Sequence, residues 1–125
     1  MNRKDMYVTT ARASVNTERQ RRFDRLTVTL DHVTYDADEG SRANLMGLVS
    51  ATREGVPIPW PISMRCTDNI TRPLTLENAR QLLALMFLAV QEVYQKSWHL
   101  KDEVIPSLGM DDLLAFDASN AQLWK

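Results

Sequence analysis

Residues 82–90 read Leu82-Leu83-Ala84-Leu85-Met86-Phe87-Leu88-Ala89-Val90, nine apolar positions without a break. The run sits inside a longer helical pattern. Thr75 stands at the N-cap, and Leu76, Ala79, Leu83, Met86, Val90 and Val93 recur at helical spacing. Leu82, Leu85, Phe87, Leu88 and Tyr94 carry apolar surface beyond that stripe. A helix that is apolar all round is buried all round, and a chain of 125 residues has few other elements with which to wrap it. The expectation is a helix over about 76–104 that is partly covered from outside the chain. Leu82, Leu85, Phe87, Leu88 and Trp98, with Leu123 and Trp124 further on, are the expected interface anchors. The alternative is that the hairpins and second helix of the same chain form the cover.

Before this helix, two short stretches alternate with period two. In Leu26–Tyr35, a two-residue turn at Asp31-His32 would oppose Leu30 to Val33 and Val28 to Tyr35, leaving all four on one face. His32 takes a place usually given to glycine. In Ile62–Leu74, a three-residue loop at 67–69 aligns Cys66 with Ile70 and Ile62 with Leu74, with Asn69 left-handed. Pro73 assigns its strand to an edge. Between the hairpins, Asp38 or Ser41 opens a helix over about 41–54. Gly55 ends it, and Ala43, Met46, Gly47 and Val49 or Ser50 form its apolar, small-residue side. Gly47 in mid-helix predicts a close contact. Val56-Pro57-Ile58-Pro59-Trp60-Pro61 must be extended, with Trp60 as a packing anchor.

At the N-terminal side, residues 1–9 read as a flexible or docking arm. A polar helix follows from about Thr10 to Arg25, with a thin stripe of Ala11, Val15 and Phe23. Beyond Pro106 and Gly109 come a short amphipathic piece at 110–116 and a tail whose Trp124 should dock on a neighbour or on its own domain. The organisation expected is an arm over 1–9, one α+β domain over 10–105 and a docking tail over 106–125. The domain has a polar N-terminal helix, two β-hairpins and a long packing helix.

Charge is uneven. Residues 1–25 hold seven Lys/Arg against Asp5, Glu18 and Asp24, a balance of +4; the rest hold eight against thirteen, a balance of -5. A basic segment on an acidic body either steers subunits together or is a solvated helix face. Without interleaved aromatics it does not suit nucleic acid. The apolar run is far shorter than the about 20 residues of a membrane span, and the first ten residues lack a signal-peptide core.

The chemistry of enzymes is not visible. None of Gly40, Gly47, Gly55 and Gly109 lies in a phosphate-cradling loop. Asp36-Ala37-Asp38-Glu39-Gly40 has its glycine one place early for a calcium loop, whose closing ligand would fall on Gly47. His99 and Glu103 share a helix face but are two ligands, not a site. Cys66 alternates with Met64 and Ile62 as a small core residue. No catalytic, cofactor or metal residue is expected.

Residues 15–105 resemble a module of tailed-bacteriophage tail proteins, a domain of unknown function. The resemblance lies in an order of features. Glu18-Arg19-Gln20-Arg21-Arg22-Phe23 leads to a hairpin ending Val33-Thr34-Tyr35-Asp36, and Ser41-Arg42-Ala43-Asn44 opens a helix containing Gly47. A Pro-Trp stretch, Thr67-Asp68-Asn69 at a turn and Leu74-Thr75 before a long helix follow, with Lys101 and Ile105 at its close. His32 departs from the family's frequent turn glycine, and the main helix is more apolar than usual. The resemblance implies a structural subunit of the virion tail, made in the host cytoplasm: a tail-fibre, baseplate or tail-tip accessory protein. It would bind other tail proteins and itself, with no nucleic acid and no membrane insertion. A tail-fibre assembly chaperone and a small host-interference protein are the rival readings.

Overall fold

The computed structural model describes residues 2–125 and is an α+β fold. In chain order it holds α1 (Arg3–Asp24), β1 (Thr27–Leu30), β2 (Val33–Asp36), α2 (Glu39–Arg53), β3 (Ile62–Arg65), β4 (Thr71–Leu74) and α3 (Leu76–His99). After α3 come a π-helical segment (Leu100–Val104), α4 (Ile105–Ser107), α5 (Met110–Leu114) and a 3-10 turn (Ala121–Trp124). The strands form two separate antiparallel pairs, β1–β2 and β3–β4. Contacts divide the chain into two compact units: Phe23–Val90, and the residues up to Arg22 together with Gln91–Lys125.

In the unit Phe23–Val90, both hairpins have the register read from the sequence. Leu30 opposes Val33 and Val28 opposes Tyr35. Asp31 and His32 take φ of 51° and 65°, the left-handed pair that a two-residue hairpin turn requires. Ile62 opposes Leu74, the Cys66 N–H donates to the Ile70 carbonyl at 3.0 Å, and Asn69 has φ 66°. The Thr67 N–H donates to the Thr34 carbonyl at 3.0 Å, tying one hairpin to the other. Around them Tyr35, Ala37, Leu45, Cys66, Leu74, Ala79, Leu82 and Met86 form one buried core, with Trp60 packed against it. The Trp60 Nε1–H donates to Thr52 Oγ1 at 2.8 Å, so its polar edge is satisfied.

The ends of α2 follow from local chemistry. Asp38 is the N-cap residue, but its carboxylate takes the Ser41 hydroxyl instead of a backbone N–H. At the other end Gly55, with φ 91°, donates to Thr52, and Val56 donates to Ala51. These two bonds are the Schellman pattern. Of the expected side of α2, Val49 packs on the core but Ala43, Met46 and Gly47 do not. Leu45 is fully buried while Ala43, Met46 and Gly47 are exposed, and a Cβ at Gly47 would meet nothing within 4 Å. Leu45 is larger than its small neighbours, so inward rotation of that side buries more apolar area.

In the other unit the N-terminal segment and the tail both pack on the chain's own core, one of the alternatives expected for each. The N-terminal arm is helical from Arg3: Asn2 Oδ1 accepts the Asp5 N–H at 2.8 Å, and Tyr7 and Val8 pack on the core. Met1, the first residue of the expected arm, lies outside the described residues. The segment beyond Pro106 belongs to the same core, in which Ala11, Val15, Leu100, Ile105, Leu113, Ala118 and Trp124 are buried together. The long helix stops being α-helical at His99 for a reason visible in the sequence. Over Leu100–Val104 the ladder loosens, and the Ile105 N–H reaches the Leu100 carbonyl. Pro106 has no N–H to offer the Lys101 carbonyl next in line. Arg12 Nε donates to that oxygen instead, at 3.0 Å, while Lys101 Nζ donates to Asn16 Oδ1 at 2.9 Å.

Because Gly47 has a helical backbone and open space around it, Gly47→Ala should raise stability by about 1 kcal/mol. Chemical denaturation followed by circular dichroism measures the gain; a loss would mean that a neighbour needs the space.

Candidate interaction surfaces

Along α3, residues of one face point into a core and those of the opposite face reach water. Leu82 and Met86 have no accessible surface, whereas Phe87 is 45% and Leu88 66% exposed. Leu85 lies half-buried between them. Leu82 is therefore a core residue and not an interface anchor: it falls on the stripe with Ala79 and Met86. Scattered exposed apolar side chains are ordinary. Phe87 and Leu88 differ in being adjacent and in lying within Gln81–Gln91, eleven residues without a charge.

Trp98 is 44% exposed and stacks on Tyr94 with ring centroids 5.6 Å apart. The Arg19 guanidinium lies 5.1 Å over the Tyr94 ring and donates to Ser97 Oγ at 3.2 Å. Trp124, the expected docking residue, is buried in its own unit. Its Nε1–H donates to the Ala118 carbonyl at 2.8 Å, and Arg22 covers the ring at 4.7 Å. Leu123 is half-buried against the same core. Both leave the interface set, because the 3-10 turn, opened by Asn120 accepting the Gln122 N–H at 3.0 Å, folds them inward.

The arginines of α1 are engaged within the chain. Glu18, itself buried, pairs with Arg21 at 3.1 Å and with Arg22 Nε at 3.3 Å, the latter without the alignment of a hydrogen bond. Arg12 on the π segment, Arg19 on Tyr94 and Arg22 on Trp124 hold the helix to its own unit, while Arg21 pairs within α1. An open groove of about 410 Å³ lies between α1 and residues 116–119. Its Ser14 and Thr17 hydroxyls already donate to helix carbonyls, and its Asp117 carboxylate accepts from Ser119, which lowers the Asp117 pKa.

Among the described residues no three His, Cys, Asp or Glu side chains gather as a metal site. His99 Nδ1 and Glu103 lie 2.8 Å apart as an exposed pair. No helix of the described residues is long and apolar enough to cross a membrane. Sequence reasoning missed the exposed Met6, Val56, Ile70 and Leu114. Only Met46 carried a signal, as part of the small-residue side of α2.

A family model described as "Domain of unknown function (DUF4376)" matches residues 7–120. The chain belongs to this family. No curated protein matches it, and no solved structure matches it. The DUF4376 span takes in both hairpins and nearly all of α1, and it ends before Trp124.

The most perturbed carboxylate of this DUF4376 chain lies in the second hairpin. Asp68 accepts two bonds from Arg72, at 2.9 and 2.6 Å, and one from the Ile70 N–H. These hold its pKa at about 2, below the ordinary 3.8. A depressed carboxylate stabilises the fold above its unfolded pKa, and that contribution is lost as pH falls through about 2. The pair is exposed and screened, so its effect on stability is small. A carboxyl-carbon NMR titration should place the Asp68 midpoint near 2, returning toward 3.8 in Arg72→Ala.

Proposed function

We propose that this protein is a structural interaction subunit of a bacteriophage tail: a tail-fibre, baseplate or tail-tip accessory protein that acts by protein–protein assembly, without catalysis. The observation that carries the binding role is the exposure of Phe87 and Leu88 on an uncharged stretch of a helix whose other face is sealed. Adjacent aromatic and aliphatic side chains are the kind that dominate dry interfaces. The engaged arginines of α1 favour a protein partner over a polyanion, since phosphate binding needs guanidiniums free to neutralise it. The assignment to a tail rests on the resemblance of residues 15–105 to tail-protein modules.

The test is mass spectrometry of purified particles from a phage that carries this gene. The chain should be present at a fixed ratio to tail proteins, and Phe87→Ser with Leu88→Ser should lower its incorporation at least about tenfold while the free protein stays folded. Presence in infected cells but absence from particles would support a chaperone that departs after assembly. Normal particles from a deletion phage would contradict the structural role.

A further inference from the structure

The exposed face of α3 carries a symmetric arrangement. Residues four apart follow one another along a helix surface, and Arg80, Ala84, Leu88 and Glu92 form such a row, all exposed. An antiparallel second helix related by a two-fold axis at the level of residue 86 pairs position i with 172 minus i. Arg80 then faces Glu92 of the second copy, Ala84 faces Leu88, and Gln81 faces Gln91. Each contact occurs twice. Every pair is complementary: cation with anion, small with large, amide with amide. Met86, at that level, points the opposite way into the core, which leaves the axis free. Arg80 has no ion-pair partner among the described residues, and Glu92 holds Lys96 at 2.9 Å with its side chain still 65% exposed.

From this charge complementarity we infer that the face Arg80–Glu92 binds a second copy of this chain, α3 against α3, antiparallel about a two-fold axis. The inference rests on the proposed function and deepens it by naming the partner of the Leu88 side of that surface. The row is about 18 Å long. Such a strip buries less than the about 1,200 Å² of standard stable complexes, so the dimer dissociates at concentrations on the order of micromolar or higher. Its two ion pairs lie at the rim and set register more than affinity.

Sedimentation equilibrium on the full chain tests this with a charge exchange. The wild-type chain should pass from monomer to dimer as concentration rises. Arg80→Glu or Glu92→Arg alone should raise the dissociation constant about tenfold, because two attractive pairs become repulsive. The double variant should return to within about threefold of wild type, and the single-variant effects should shrink in high salt. A wild-type chain that stays monomeric, single exchanges without effect, or a double exchange as weak as the singles would overturn the inference. Register is checked separately by mixing Ala84→Cys and Leu88→Cys chains under mild oxidation. The mixed disulfide should form faster than either symmetric one, and the opposite order would overturn the pairing. A monomeric chain found in particles removes self-pairing alone, while a dimer absent from particles removes the tail assignment alone.

Discussion

Leu82 and Met86 insert from α3 into a core that both hairpins and α2 complete, and the placement of everything else in Phe23–Val90 follows from that insertion. Each is a fully buried side chain, with roughly 2 kcal/mol of apolar burial at stake. Their spacing of four selects which side of the helix faces inward. That choice leaves Phe87 and Leu88 on the outside, because a helix presents about a third of its circumference to one neighbour. The apolar run is thus two surfaces on one element. The inner one is satisfied within the chain, and the outer one has the composition of an interface.

The second unit is organised by arginine. α1 has little apolar surface, yet it is anchored by guanidiniums that face aromatic rings and an orphaned carbonyl. The proline that disrupts the end of α3 creates the carbonyl that Arg12 reaches. A basic helix of this kind is not a free electrostatic patch. Its charge is a packing device, consistent with cation–π contacts of Arg19 and Arg22 over Tyr94 and Trp124. Lysine would lose the stacked geometry, since it lacks the planar face that lies over the rings.

Most of the fold was legible in the sequence, for particular reasons. Both hairpins were fixed by period-two alternation combined with turn residues that tolerate positive φ. Thr75 was readable as a cap, and its Oγ1 accepts the Asn78 N–H at 3.1 Å. The rotation of α2 was only partly legible: Val49 belonged to the expected side and packs on the core, but Leu45 rather than Ala43, Met46 and Gly47 completes the buried face, and only the packed partners decide that. The start of α1 was missed because its first turns are polar and gain stability from Asn2 and from contacts made distant in sequence. For the candidate surface, the run announced excess apolar area but not its division. Leu82 and Trp124 look like anchors in one dimension and are core residues in three, while Phe87 and Leu88 keep the expected exposure.

Hydroxyl-radical footprinting of the dilute chain addresses that division directly, residue by residue within one helix. Oxidation of Phe87 and Leu88, with Leu82 and Met86 protected and Met46 modified as an internal exposed reference, is the expected result. Modification of Met86 at the rate of Met46, or protection of Phe87 and Leu88 that persists in the monomer, would contradict a helix with one sealed and one open side.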